Sequence, residues 1–419
     1  MSPIFKDERN RGPAGDTNMT DNPAIVVDAE PQPAEPLDEA VRLHDLAVAA
    51  RDERRLDEAE RLAGEALVIF ESVAGPDHPD VANVLLCLAG VHMDRADYLT
   101  AEPLYRRAVG NLERILEADR NEDVQRLRME ALGGLGTLYR VLGRYRDAEP
   151  LLMQTVAIAE QTFGREHADV ASALNGLAVL YKYTAEFAKA SRLYRRALAI
   201  AERTAGPEQP IVATILHNMA GLEHARGRFR RGEPFARRSV VIREKALGPD
   251  HPEVAADAAA LAAILDAQGK RAEAKAIYER ALAIFEQAFG PDHYEVAITL
   301  NNLAALDEAD GDLVAAERLY LRALDIKERL FGPDHPDVAV TLNNLAGVLR
   351  RQGRTAEAEL HYRRALALFE RALASDHPKI ATCLLNYAEL LRALDRPAEA
   401  HILEMRVETR PLAGIRLTT

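Results

Sequence analysis

Six histidines, His78, His167, His251, His293, His335 and His377, recur along the chain, and five of them directly follow an aspartate: Asp77, Asp250, Asp292, Asp334 and Asp376. Imidazole beside carboxylate can ligate a metal or activate a nucleophile. The recurrence itself argues against both roles. Equivalent residues on successive helical units lie at least about 8–10 Å apart, whereas ligands of one zinc ion sit about 2 Å from the metal. Other catalytic signatures are missing too. There is no P-loop lysine motif, no His-Glu-x-x-His and no Gly-x-Ser-x-Gly elbow, and Gly134-Leu135-Gly136 runs to Tyr139 where a dinucleotide loop needs glycine. No metal, cofactor or enzymatic activity is expected. The setting Gly-Pro-Asp-His-Pro, at Gly75–Pro79, Gly248–Pro252 and Gly332–Pro336, suggests punctuation instead: glycine ends one helix, aspartate caps the next, and proline suits its first turn.

The elements between these markers form a repeat array. Gly164, Gly206, Gly248, Gly290 and Gly332 stand 42 residues apart, with Ala374 next in line. Ala59, Ala101, Ala148, Ala190, Ala274, Ala316, Ala358 and Ala400 keep the same beat, with Gly232 in one slot and a single longer step from Ala101 to Ala148. Five extra residues therefore fall in Glu117 to Arg128, where a longer inter-repeat loop is expected. Within Val296 to Phe331, Leu300, Leu303, Ala304 and Leu306 make one helical stripe, and Ala316, Leu319, Tyr320, Ala323 and Leu324 make another across Gly311. An all-α solenoid of about nine helix-turn-helix hairpins follows. Residues 1–36, rich in proline and acidic residues, read as a disordered leader; 37–405 hold the repeats; 406–419 form a C-terminal cap or tail.

Composition narrows the function classes. A net charge of -13 and a pI near 5.5 disfavour nucleic acid, which requires a basic face. Arg106-Arg107, Arg195-Arg196 and Arg363-Arg364 read as solvated helix faces, since Glu102 and Glu359 precede Arg106 and Arg363 by four residues. No apolar run is long enough for a membrane span, and the two cysteines, Cys87 and Cys383, lie too far apart in the repeat order to pair. A cytoplasmic location without membrane or nucleic-acid partners is the expectation.

The series small, glycine, small, aromatic, small at Ala304, Gly311, Ala316, Tyr320 and Ala323 resembles the tetratricopeptide repeat (TPR) signature. Leu-Asn-Asn-Leu-Ala at Leu300–Ala304 and Leu342–Ala346, Ala-Glu-Pro-Leu-Tyr-Arg-Arg-Ala at Ala101–Ala108 and Gly-Pro-Asp-His-Pro resemble the 42-residue repeats of kinesin light chains and their bacterial relatives. That resemblance implies a right-handed superhelix whose first helices line a concave groove, with asparagines gripping the backbone of an extended peptide. Asn218, Asn302, Asn344 and Asn386 share one repeat position, preceded by His217, Asn301 and Asn343 in three units, and Asn175 joins this set. An amide both donates and accepts, so a row of them can pair with any peptide main chain. Lys182, Arg350, Arg351 and Arg392 follow on the same helices, mixed with Asp266, Glu308 and Glu389, and the three arginines would favour acidic peptides in the C-terminal half. Kinesin light chains also carry a heptad coiled coil for the motor heavy chain; Met1 to Pro36 is too short and proline-rich for one, so a motor partner is not expected. The expected function is a non-catalytic adaptor for a protein or peptide partner. The alternative is a self-associating scaffold, a homo-oligomer in which the amides only bond neighbouring helices.

Overall fold

A computed structural model describes residues 36–408 except 96, 119, 120, 374 and 376. Residues 1–35 of the expected leader, 1–36, and the segment 409–419 lie outside the described residues. The described elements are eighteen helices forming nine hairpins: α1 (Pro36–Asp52) with α2 (Leu56–Val73), α3 (Pro79–Asp94) with α4 (Tyr98–Ala118), α5 (Glu122–Val141) with α6 (Tyr145–Phe163), α7 (Ala168–Tyr183) with α8 (Phe187–Thr204), α9 (Pro210–Ala225) with α10 (Phe229–Leu247), α11 (Pro252–Ala267) with α12 (Arg271–Phe289), α13 (Tyr294–Asp310) with α14 (Leu313–Phe331), α15 (Pro336–Arg351) with α16 (Thr355–Ala372), and α17 (Pro378–Ala393) with α18 (Pro397–Glu408). The chain divides into two compact units, Met1–His92 with Pro103–Arg128, and Met93–Glu102 with Met129–Thr419.

Small residues set how closely the two helices of a hairpin approach. All eight alanines of the repeat series are fully buried. In the ninth slot a Cβ on Gly232 would come within 3.2 Å of the Ala220 carbonyl oxygen, which explains the glycine. Tyr194, Tyr278, Tyr320 and Tyr362 fill the wider gaps and are almost wholly buried. Between α13 and α14 the chain reverses at Gly311, whose φ of 89° is left-handed.

Two local expectations need correction. Histidine, rather than aspartate, caps the first helix of the repeats. Nδ1 of His78, His167, His251, His293, His335 and His377 accepts the amide N–H two residues on, at 3.2–3.3 Å. Among the described aspartates, Asp77, Asp250, Asp292 and Asp334 instead face Arg114, Arg280, Arg329 and Arg371 of the following second helix. The insertion near Glu117 to Arg128 is taken up as helix: α5 runs 20 residues and α4 21, whereas α7 and α9 run 16.

In the second unit, α7, α9, α11, α13 and α15 each lie against the next first helix along, while among the described residues the backbones of the second helices approach only first helices. First helices are therefore on the inside of the curve. The curvature brings distant repeats together: the Tyr98 ring lies 5.9 Å from His335, and Tyr145 lies 6.0 Å from His377. On the outer side, Arg196, Arg238, Arg322 and Arg364 reach back to Glu160, Glu202, Glu286 and Glu328 at 2.5–2.7 Å, each pair 36 residues apart. These arginines stitch neighbouring hairpins, so their solvated faces also serve inter-repeat contact. Arg363 keeps the expected local pair with Glu359, at 2.6 Å.

The turn preceding α8 has Ala185 at φ 59°, where five other hairpins have glycine and the first and last have Arg54 and Asp395. A side chain in that region costs roughly 1–2 kcal/mol. Ala185→Gly is expected to raise stability by roughly 1 kcal/mol, and Gly311→Ala to lower it by a similar amount, in urea denaturation followed by circular dichroism.

Candidate peptide-binding face

The inner first helices carry the amide row. Asn218 on α9 donates to Asn175 on α7 at 3.0 Å, and Asn386 on α17 donates to Asn343 on α15 at 3.2 Å. Asn343 in turn donates to Asn344 at 3.2 Å. The amides thus form rungs between adjacent repeats, which is the structural duty weighed in the sequence. On α13 the pattern stops. Asn302 makes no hydrogen bond among the described residues, and Oδ1 of Asn301 is buried without a partner. Leaving such an oxygen unsatisfied costs about 1–3 kcal/mol.

His217 has a different role from the asparagines. Its Nδ1 lies 2.8 Å from Asp257, which also accepts from Nε of Arg243 at 2.8 Å; Arg243 reaches Glu253 at 2.5 Å and Thr214 at 3.1 Å. Asp257 is 4% exposed. This network clamps α9, α10 and α11 where Ala259-Ala260 replaces the asparagine pair. Burial pushes the Asp257 carboxyl up, but the hydrogen bonds and positive charges of His217 and Arg243 prevail and hold it below the usual aspartate range.

A second row, seven residues beyond the histidine and asparagine positions, reads Arg140, Lys182, His224, Asp266, Glu308, Arg350 and Arg392 on successive first helices. The arginines singled out in the C-terminal half are matched by carboxylates: Arg350 with Glu389 at 3.1 Å, Arg351 with Glu308 at 3.4 Å, and Arg392 with Glu404 at 2.7 Å. They leave little uncompensated charge there for an acidic partner. Lys182 is unlike them. It has no carboxylate partner among the described residues, and burial together with the charge of Arg140 pushes its ammonium down to about 8. Arg140 was missed in the sequence, although it stands one period before Lys182.

The tetratricopeptide repeat family matches residues 38–114, 127–203, 211–287, 255–329, 295–371 and 337–409. The chain belongs to the tetratricopeptide repeat family. Its TPR hairpins are of the long, kinesin-light-chain-like kind. Comparison with curated proteins found no matching sequence. Among solved structures, the apo quorum sensor NprR from B. thuringiensis is similar at 16% identity, over 89% of this chain and 97% of that one, with a TM-score of 0.55. A Rap protein complexed with Competence and Sporulation Factor is similar at 14% identity, over 80% and 99%, with a TM-score of 0.54. BtubC from P. vanneervenii shares 24% identity over 60% and 92%, with a TM-score of 0.42. TPR solenoids of this type present a concave surface suited to protein–protein contact. Among the described residues no helix is long and apolar enough to cross a membrane.

The Asp257 network gives a pH test. A carboxyl held below its unfolded value near 3.9 contributes stability above that pH and loses it as pH falls through the lower folded value. Stability of the wild-type chain is expected to drop below about pH 4. Asp257→Ala, which leaves the buried Arg243 with Glu253 and Thr214 alone, should cost about 1–3 kcal/mol at neutral pH in urea denaturation and flatten part of that acid limb.

Proposed function

We propose that the chain is a non-catalytic adaptor that holds an extended peptide, or a disordered segment of a partner protein, along the inner face of its TPR hairpins. The observation that carries this reading is the unspent pair on α13. Asn301 and Asn302 sit in register with amides that are bonded in neighbouring repeats, yet Asn302 makes no hydrogen bond among the described residues and the Asn301 oxygen is buried without one. A peptide main chain supplies both the donor and the acceptor that the half-buried Asn302 lacks. The first helices lie inside the curve, so the remaining amides, Asn175, Asn218, Asn343, Asn344 and Asn386, flank the same track. The similar Rap protein was solved with a factor bound, which supports a binding role for such a fold.

The self-associating scaffold remains the second reading, favoured by the amide rungs themselves and by Ile402, 60% exposed on the last helix. A cytoplasmic setting is part of the adaptor reading.

Capture from the native host's lysate, with mass spectrometry, separates the two. Asn302→Ala plus Asn344→Ala should leave the melting temperature near wild type and weaken partner retention about tenfold, the effect of roughly 1.4 kcal/mol. Unchanged capture, together with concentration-dependent growth in light scattering that the substitutions do not alter, would assign the amides to the scaffold.

A further inference from the structure

Charges on the inner row are compensated nearly everywhere the row runs. Asp266 lies 3.7 Å from Arg271, Glu308 pairs with Arg351, Arg350 with Glu389 and Arg392 with Glu404. The exception is the pair on α5 and α7. Arg140 Cζ lies 5.1 Å and Lys182 Nζ 4.9 Å from the centroid of the same Tyr183 ring, so two cations lie against one aromatic side chain. Neither has a carboxylate partner among the described residues. Asp337 shares with Arg140 an influence on the Tyr98 phenol, but it is engaged by the Tyr294 hydroxyl. In a chain of net charge -13, a pair of adjacent like charges left without an anion stands out.

A second observation points at the same place. Tyr194 on α8 is wholly buried, and its hydroxyl has no hydrogen-bond partner. Two tyrosines in its repeat position have a use for theirs: Tyr320 lies against Glu308 and Tyr362 against Arg350, each on the first helix of its own repeat. At Tyr194 the corresponding residue is Lys182, which turns away to Tyr183 and to Gly221 of α9, where even a methyl group would come within 3.5 Å of Nζ. The orphaned hydroxyl is left within electrostatic reach of Arg140 and Tyr183. Tyr183, 45% exposed and stacked on Tyr145 at 6.5 Å, forms an aromatic floor open to solvent.

We infer that Arg140, Lys182 and the Tyr194 hydroxyl form a binding site for an oxyanion carried by the bound partner segment, a carboxylate of an acidic side chain or a phosphoryl group. Guanidinium supplies a planar pair of donors, ammonium a point charge, and phenol a neutral donor, a set suited to an anion with several acceptor oxygens. This deepens the adaptor reading and rests on it for the source of the anion. It also moves the acidic preference from the C-terminal arginines, which are matched, to the first repeats of the second unit.

The test uses the full chain and two small probes, O-phosphoserine followed by phosphorus NMR line broadening and N-acetylglutamate followed by saturation-transfer NMR. Four proteins are compared: wild type, Arg140→Gln plus Lys182→Gln, Tyr194→Phe, and Arg230→Gln plus Arg231→Gln. The last pair is exposed on α10 and removes the same formal charge elsewhere. At least one probe should bind wild type and the α10 variant alike, lose tenfold or more in Arg140→Gln plus Lys182→Gln, and weaken measurably in Tyr194→Phe with the melting temperature kept. Which probe binds identifies the source of the anion. No binding to wild type, or equal binding to wild type and the Arg140, Lys182 variant, overturns the site.

Selection of random twelve-residue peptides on the full chain then separates this inference from the adaptor reading. Enriched peptides that are neutral, and unaffected by the Arg140 and Lys182 substitutions, overturn the anion site and leave the adaptor standing. Probe binding at Arg140 and Lys182 with no peptide enriched leaves the anion site and removes the peptide.

Discussion

A hairpin of two helices with an apolar stripe on each cannot hide both stripes on its own, and this constraint governs the chain. Each first helix must be covered by its own second helix on one side and by the preceding second helix on the other. The alternation of contacts along the array, α7 with α8, α8 with α9, α9 with α10, is that coverage. It succeeds only if the helices come close, hence the fully buried alanine in each repeat and the glycine where a carbonyl crowds the slot. Large tyrosines then fill what the alanines leave open. The array is also asymmetric, because first helices meet their successors while the backbones of the second helices do not.

Polar groups divide according to this stacking. Those on the outer edges join one hairpin to the next: arginines reach back 36 residues to glutamates, and several also reach the carbonyl that ends the preceding repeat, as Arg364 does to Pro333 at 2.7 Å. Any one such exposed pair contributes little. Repetition along the array makes them a consistent register between hairpins. Inside the curve the polar groups fall into two kinds, those already bonded to each other and those left over. The Asp257 cluster belongs to the first kind, replacing an amide rung with a buried ionic one. Asn301, Asn302, Arg140, Lys182 and Tyr194 belong to the second.

Much of the architecture was legible in residue spacing. The period, the hairpin in each unit and the turn at Gly311 follow from apolar stripes and their breaks, whereas the inner position of the asparagine helices came only from the resemblance to kinesin light chain repeats. Where spacing misled, the cause is physical. Aspartate has the stronger reputation as a cap, yet the following histidine can reach the amide two residues on with Nδ1, while the aspartate faces an arginine of the next helix. The insertion before α5 was visible as a break in the beat, but helix and loop absorb extra residues equally well in a count, and only the fold puts them in a longer α5. Arg350, Arg351 and Arg392 looked like a basic patch because their carboxylates come from other helices.

By itself the sequence determined the repeat, its all-helical nature and the family to which the chain belongs, since each depends on local periodicity and on residue types that recur at the same position. Which polar groups are spent was decided by the tertiary structure alone. Asn218 and Asn302 share one repeat position, yet one amide is bonded and the other is not. Lys182 and Glu308 share another, yet one lacks a counter-charge and the other has one. The partner that makes the difference lies on a neighbouring hairpin, in most cases more than thirty residues away, and only the packed array brings it within hydrogen-bonding reach.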